Sequence, residues 1–196
     1  MALTLITAPS ETPVSLAEAK LHARVELTED DSLITAQLDA ARLYCEGFTK
    51  RQFVSATYEL RLNGFPAWDL TPIVIPRPPF QSITSIAYVD ENGASQTWAS
   101  SKYQSDLNTE PGRVMPVQGE SYPNTQADTF NTVTITYVAG YGAASAVPER
   151  FKAAIKLLVA HWYENREPVS MTAGANVTNV PLTVSDLLMQ DRMWNF

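Results

Sequence analysis

The sequence predicts an α+β protein. A small helical bundle, residues 1–54 plus 141–196, is interrupted by an inserted antiparallel β-rich subdomain, residues 55–140. Three observations predict this. Toward both ends the apolar residues recur at helical spacing, as in Ile34, Leu38, Ala41, Cys45 and Phe48. In the middle the period changes to two: Tyr58, Leu60 and Leu62 alternate with Thr57, Glu59 and Arg61, and Val133, Ile135 and Tyr137 alternate with threonines. The clearest helix, Val147 to Glu167, then follows the last of these strands.

Residues 1–14 read as an extended arm that ends at Pro13-Val14. Ser15 caps a short helix from Leu16 to about Val25, and Glu18 completes a capping box. Thr28 is expected to cap a second helix that runs to about Phe48. Glu29, Asp30 and Asp31 crowd its first turn, where the helix dipole favours acids. Leu33 and Tyr44 widen its apolar stripe, and Cys45 lies inside the stripe, so a buried structural thiol is expected.

The β-rich part begins after Arg51 with the strand at 57–62, followed by a turn at Asn63–Pro66. Ile73–Ile75 is a short strand closed by Pro76, and Arg77-Pro78-Pro79 is a rigid linker. Ile83–Val89 is apolar on both faces and is expected at the centre of a sheet. Asp90-Glu91-Asn92-Gly93 is a hairpin turn, with Asn-Gly supplying positive φ angles. Short strands are expected near Thr97–Trp98, Tyr103–Ser105 and Arg113–Met115, then a polar loop over 116–131 and a strand over Thr132–Val138.

In the central helix, Pro148 suits the first turn because its missing N–H would have had no partner there. Glu149 and Arg166 match the two ends of the dipole, and Pro168 stops the helix. Phe151, Ile155, Leu158 and Trp162 form one face, expected against Leu38 and Cys45. Ala153, Leu157 and Ala160 form a second stripe that would serve another neighbour. Residues 168–181 read as a mobile loop of small residues. A last short helix is expected to start near Ser185. Leu187, Leu188, Met189, Met193, Trp194 and Phe196 are a heavy apolar load for a chain end, and termini fray unless something holds them. The tail either docks on its own domain or binds a partner. The tether before it favours the partner, so its removal is expected to leave the domain folded.

Net charge of −7 argues against nonspecific attraction of the whole chain to nucleic acid or anionic membrane. One cysteine excludes an intrachain disulfide. No apolar run approaches the ~20 residues of a membrane span. The first residues, M-A-L-T-L-I-T-A-P, lack the basic segment of a signal peptide, so an intracellular protein, or one released by lysis, is expected.

The residues offer no catalytic constellation, no cofactor motif and no metal site. His22 and His161 stand alone, without ligands at metal-binding spacing. Gly140-x-Gly142-x-x-Ser145 sits between a strand and a helix, as a dinucleotide fingerprint does. It lacks the third glycine, and Val147-Pro148 delays the helix whose N–H groups would meet a pyrophosphate. Trp68, Tyr88, Trp98, Tyr103 and Tyr122 could stack sugars, but their irregular spacing fits core packing better. Basic residues do not cluster with aromatics, which gives no support to a nucleic-acid groove.

Taken in order, several segments resemble the head–tail connector (adaptor) proteins of long-tailed bacteriophages, in the prophage and gene-transfer-agent type with a β-rich insertion. They are P-V-S-L-A-E-A-K at Pro13–Lys20, D-D-S-L-I-T and A-A-R within Asp30–Arg42, and I-P-R-P-P-F-Q-S-I-T-S-I-A-Y-V-D-E-N-G at Ile75–Gly93. They continue with V-T-I-T-Y-V-A-G-Y-G at Val133–Gly142, V-P-E-R-F-K-A-A-I with H-W-Y-E-N-R-E up to Glu167, and P-L-T-V-S-D-L-L at Pro181–Leu188. Met189-Gln190-Asp191 departs from the pattern, since relatives more often carry a proline or tyrosine there.

The resemblance implies a structural virion protein, assembled in the host cytoplasm, with no catalytic residue. It implies a ring, usually twelvefold, beneath the portal protein, with a docking face for a tail-completion or tail-terminator protein. DNA would pass through the channel without specific binding. The C-terminal segment would engage the portal, which makes Leu187, Leu188, Arg192, Met193, Trp194 and Phe196 the candidate partner interface, Arg192 with a hydrogen bond to an acidic group. Another head- or tail-completion role is the alternative within this class. A carbohydrate-binding module or an enzyme is the alternative outside it.

Overall fold

The fold is described for residues 1–165 and 182–194 of a computed structural model. The expected ends of the central helix at Arg166 and Pro168, and the loop at 168–181, lie outside these residues. The chain divides into two compact units: residues 1–10 with 54–141, and residues 11–53 with 142–196.

The first unit is β-rich. A five-stranded antiparallel sheet has the order β1 (Ala2–Thr7), β2 (Ala56–Leu62), β8 (Val133–Ala139), β4 (Phe80–Val89), β5 (Ser95–Thr97). A second sheet has the order β3 (Ile73–Ile75), β7 (Gly112–Pro116), β6 (Tyr103–Asp106). The expected arm at the N-terminus is therefore an edge strand, paired with β2 from Ala2 opposite Arg61 to Thr7 opposite Thr57. This moves residues 1–10 out of the helical part. The central strand is β8 and not the stretch at 83–89, because β8 is flanked on both sides by long strands while β4 meets only the three residues of β5 beyond it. The β4–β5 hairpin turns where expected, with the Asp90 N–H donating to the Ala94 carbonyl (2.9 Å), but of the Asn-Gly pair only Gly93 has a positive φ, +82°.

Alternation decides the faces. Tyr58 and Leu60 of β2 and Val133, Ile135 and Tyr137 of β8 are buried with Ile86 of β4. Ile75 and Val114 of the small sheet join the same core.

The second unit is helical: α1 (Leu16–Ala23), α2 (Asp31–Thr49), α3 (Glu149–Glu164) and α4 (Leu182–Met189). The capping box forms as expected, with the Glu18 N–H donating to the Ser15 hydroxyl (3.2 Å) and the Ser15 N–H to the Glu18 carboxylate (2.8 Å). Thr28 does not cap α2. The capping position is Asp30, and the Thr28 carbonyl accepts a bond from the Asp31 N–H in a turn that precedes the helix.

The helix α3 packs against the other three. Phe151, Ile155 and Leu158 are fully buried, as are Leu38 and Cys45 on α2. Phe53 stacks on Phe151 at 4.5 Å between ring centroids. The second stripe differs from expectation. Ala153, Leu157 and Ala160 are half-buried, while Ala154 and Val159 are buried. These two lie beside the principal face, so one broad apolar face serves all three neighbours.

Candidate functional site

The residues that could have carried chemistry have structural roles. The Gly140 backbone has φ +126°, and a Cβ there would lie 2.8 Å from the Ser55 nitrogen and the Val54 carbonyl carbon. Its lack of a side chain is thus required by a neighbouring backbone, not by a phosphate. The Cys45 thiol is buried, and burial, followed by the Glu46 charge, pushes its pKa up to about 12, which leaves it an inert thiol at neutral pH. The Glu46 carboxylate is buried and satisfied by Arg42 (2.8 Å), the Gln52 amide (2.9 Å) and the Phe53 N–H (3.1 Å). Among the described residues, no group of three or more His, Cys, Asp or Glu could hold a metal. No helix there is long and apolar enough to cross a membrane.

The aromatics of the β-rich unit form a core and not a platform. Phe65 lies 5.3 Å from both Trp98 and Tyr122, and Trp98 lies 5.1 Å from Tyr103. The Tyr122 hydroxyl donates to the Thr71 carbonyl at 2.9 Å, and burial pushes that phenol up to about 12. Of the five aromatics read as possible sugar-stacking groups, Trp68 is the one left open, at 77 % exposure.

The C-terminal segment is the candidate interface, and the structure divides its residues. The helix α4 starts at Leu182, so Ser185 lies inside it and is not its cap. Val184 and Leu188, four residues apart on one helix face, are fully buried. Leu188, expected on a partner-facing surface, is therefore a core residue of the helical unit. Leu187 is half-buried.

Beyond α4 the chain is held at the C-terminus of α2. The Met193 N–H donates to the Thr49 carbonyl (3.0 Å), one of the acceptors a helix end leaves without an intrahelical partner. The Arg51 side chain donates to the Asp191 carbonyl (2.8 Å) and reaches the Met193 sulfur (3.6 Å). Arg150 forms a close charge pair with the Asp191 carboxylate (2.8 Å).

The Arg192 guanidinium lies 5.0 Å from the Phe48 ring and 4.8 Å from the Trp194 ring, within cation–π range of both. Trp194 is 68 % exposed. Phe196 lies outside the described residues. The segment therefore offers Trp194, with Arg192 and Leu187 partly covered, and keeps Leu188 inside. The expectation that the segment can be removed without harm to the fold does not agree with this packing. Sequence reading missed Arg51, Asp191 and Thr49 as the groups that hold the segment, because the contacts join residues ~140 positions apart in the chain.

The profile of the head completion protein family matches residues 14–190. The chain belongs to the head completion protein family. Among solved structures it is similar to a chain in "Virion of native gene transfer agent (GTA) particle", at 24% identity and a TM-score of 0.79. It is also similar to chains in "Neck of empty GTA particle computed with C6 symmetry" (25%, 0.76) and "Neck of native GTA particle computed with C12 symmetry" (25%, 0.74). Each likeness covers 100% of this chain and 97% of the other. No curated protein matches it. Membership of the head completion family, with structural neck chains as neighbours, makes this a structural protein and not an enzyme.

Proposed function

We propose that this head completion protein is a ring-forming adaptor in the neck of a phage-like particle. It sits beneath the portal, extends the DNA channel and docks a tail-completion or tail-terminator protein. The observation that carries the reading is the end-to-end likeness, 100% of one chain against 97% of the other, to a chain in a native particle neck computed with C12 symmetry. The family's head-completion role supports it.

Trp194, backed by the Arg192 guanidinium, is the surface we assign to the portal, and Leu187 is a second, half-buried candidate. An exposed indole with an ordered cation behind it offers large contact area at small entropic cost. With a net charge of −7 per copy, a lumen lined by acidic side chains would repel phosphate and let DNA slide.

The test is assembly. Particles made without this chain should accumulate DNA-filled heads that lack tails, and added protein should restore tailed particles. Normal tailed particles in its absence would overturn the reading. Trp194→Ala should lower recovery on portal-bearing heads at least tenfold while the melting temperature stays within a few degrees. Unchanged recovery would remove the portal assignment and leave the ring.

A further inference from the structure

The five-stranded sheet has two edges, and the one at β1 is unlike the edge of a sheet that works alone. β1 carries no charge and no proline in A-L-T-L-I-T, and all six of its residues are exposed. Isolated sheets blunt such an edge with lysine, proline, bulges or short length, and of these β1 has only one register shift, between Leu5 and Thr7. At the other edge, β5 pairs with β4 only at Ala87–Val89, and the Trp98 N–H extends that contact to the Ile86 carbonyl. No strand among the described residues pairs with the outer side of β4 from Phe80 to Ser85, which is also uncharged. Each stretch is six residues long, and two register shifts leave Phe80–Ser85 spanning four rows of β8, Thr136–Ala139.

Their levels overlap over three rows, those of Thr136, Tyr137 and Val138, because β1 spans the rows of Thr134–Val138 and the open part of β4 those of Thr136–Ala139. Thr4 faces Glu59, Glu59 faces Thr136, and Thr136 faces Ser85. Leu5 runs through Tyr58 and Tyr137 to Ile83, and Leu3 through Leu60 and Ile135 to Ile86. These last two rows are the buried core of the sheet, yet they run out at β1 through Leu3 (37 % exposed) and Leu5 (47 % exposed). Every neighbouring pair in the sheet is antiparallel, so β1 and β4 run in opposite directions.

We infer that β1 of one copy adds as an antiparallel strand to Phe80–Ser85 of β4 in the next copy. The inference rests on the ring reading above and names the joint within it. The partner is a second copy because the two open edges are unlike, lie on opposite sides of one sheet and overlap in level. Joining unlike edges is a head-to-tail contact, which generates a ring when the rotation closes. A joint between two β1 strands would be two-fold and would stop at a dimer. In the joint, the Leu5 row meets the Ile83 row of the neighbour, while the Ile86 carbonyl stays with Trp98. A single six-residue joint is far smaller than the ~1,200 Å² of a stable pairwise interface, so copies hold together through ring closure on the particle and not as free dimers.

The experiment uses cysteine pairs in the full chain, whose one native cysteine is buried. Thr4→Cys is combined with Ser85→Cys. A second chain combines Thr4→Cys with Ser82→Cys, to cover a shift of one row on the same face. Within one chain these positions are three strand spacings apart, ~14 Å, too far for a disulfide that needs Cα atoms within ~7 Å. Particles that carry either chain are purified, oxidised and run without reductant, with each single-cysteine chain as control. The expected result is a ladder of covalent multimers from one double variant and a monomer band from the single variants. Normal particles that contain the chain but give only monomer from both pairs would overturn the joint and leave the ring reading standing. A ladder from Thr4→Cys alone would overturn it in favour of a two-fold contact. If the wild-type chain is missing from purified necks, the ring reading fails, and the joint fails with it.

Discussion

The two units treat their backbone differently. In the helical unit the helix ends are closed from within. Ser15 and Glu18 cap the start of α1, Arg24 and Lys50 close α1 and α2 in the left-handed conformation, and Met193 caps Thr49. The β-rich unit also has a buried core, but its large sheet ends on two rows of main-chain groups with no strand among the described residues beside them. A helix satisfies its hydrogen bonds along its own length, whereas a sheet satisfies them only at its neighbours. On the proposals above, the helical unit would meet other molecules through side chains such as Trp194, and the β-rich unit through its backbone.

Removal of residues 182–196 should produce the largest effect. It deletes two fully buried side chains, Val184 and Leu188, and the cap on α2. At about 1.5–3 kcal/mol per buried aliphatic side chain, the loss approaches the whole stability of a small unit. Circular dichroism should show helix loss at room temperature. If amide exchange shows that β2 and β8 lose protection too, the units fold as one and the comparison breaks.

Leu158→Ala comes next, at about 2–5 kcal/mol from lost transfer and a cavity at the centre of the helical core. Denaturant unfolding measures it, and an unchanged midpoint would show that the wrong face of α3 is buried. In the β-rich unit, Gly140→Ala forces a methyl group to 2.8 Å from the Ser55 and Val54 backbone at a φ of +126°. A cost of about 1–3 kcal/mol is expected. Amide exchange should place that loss in β2 and β8. Loss confined to the helices would contradict the assignment of Gly140 to the sheet.

Ser15→Ala should have the smallest effect, about 1 kcal/mol from a lost cap. It also carries a pH signature. The bond from the Ser15 hydroxyl, followed by its backbone N–H, holds the Glu18 carboxyl below the ordinary carboxylate range. A lowered folded pKa gives stability that is present above the ordinary value of about 4.3 and lost as pH falls through the folded one. The wild type should therefore lead the variant at neutral pH and lose part of that lead below about pH 4. A constant gap in melting temperature from pH 7 to pH 2.5 would show that the Glu18 charge plays no part.

Features that depend on near neighbours in the chain were legible in advance. The capping box needs only residues 15–18. The buried stripe of α2 needs only its own period, and the β4–β5 turn only Asp90–Gly93. The sequence by itself determined these because a hydrogen bond or a helical face within a few residues has no competitor. The tertiary structure decided the rest. An apolar arm pairs with residues more than fifty positions away and becomes β1. β8, and not β4, takes the middle of the sheet, because strand order depends on which edges meet and not on how apolar each strand is. Leu187 and Leu188 are identical residues side by side, yet only the second is fully buried. Their separation follows from the ~100° turn between successive helix positions and from the direction in which α3 lies, a long-range fact that no local pattern encodes.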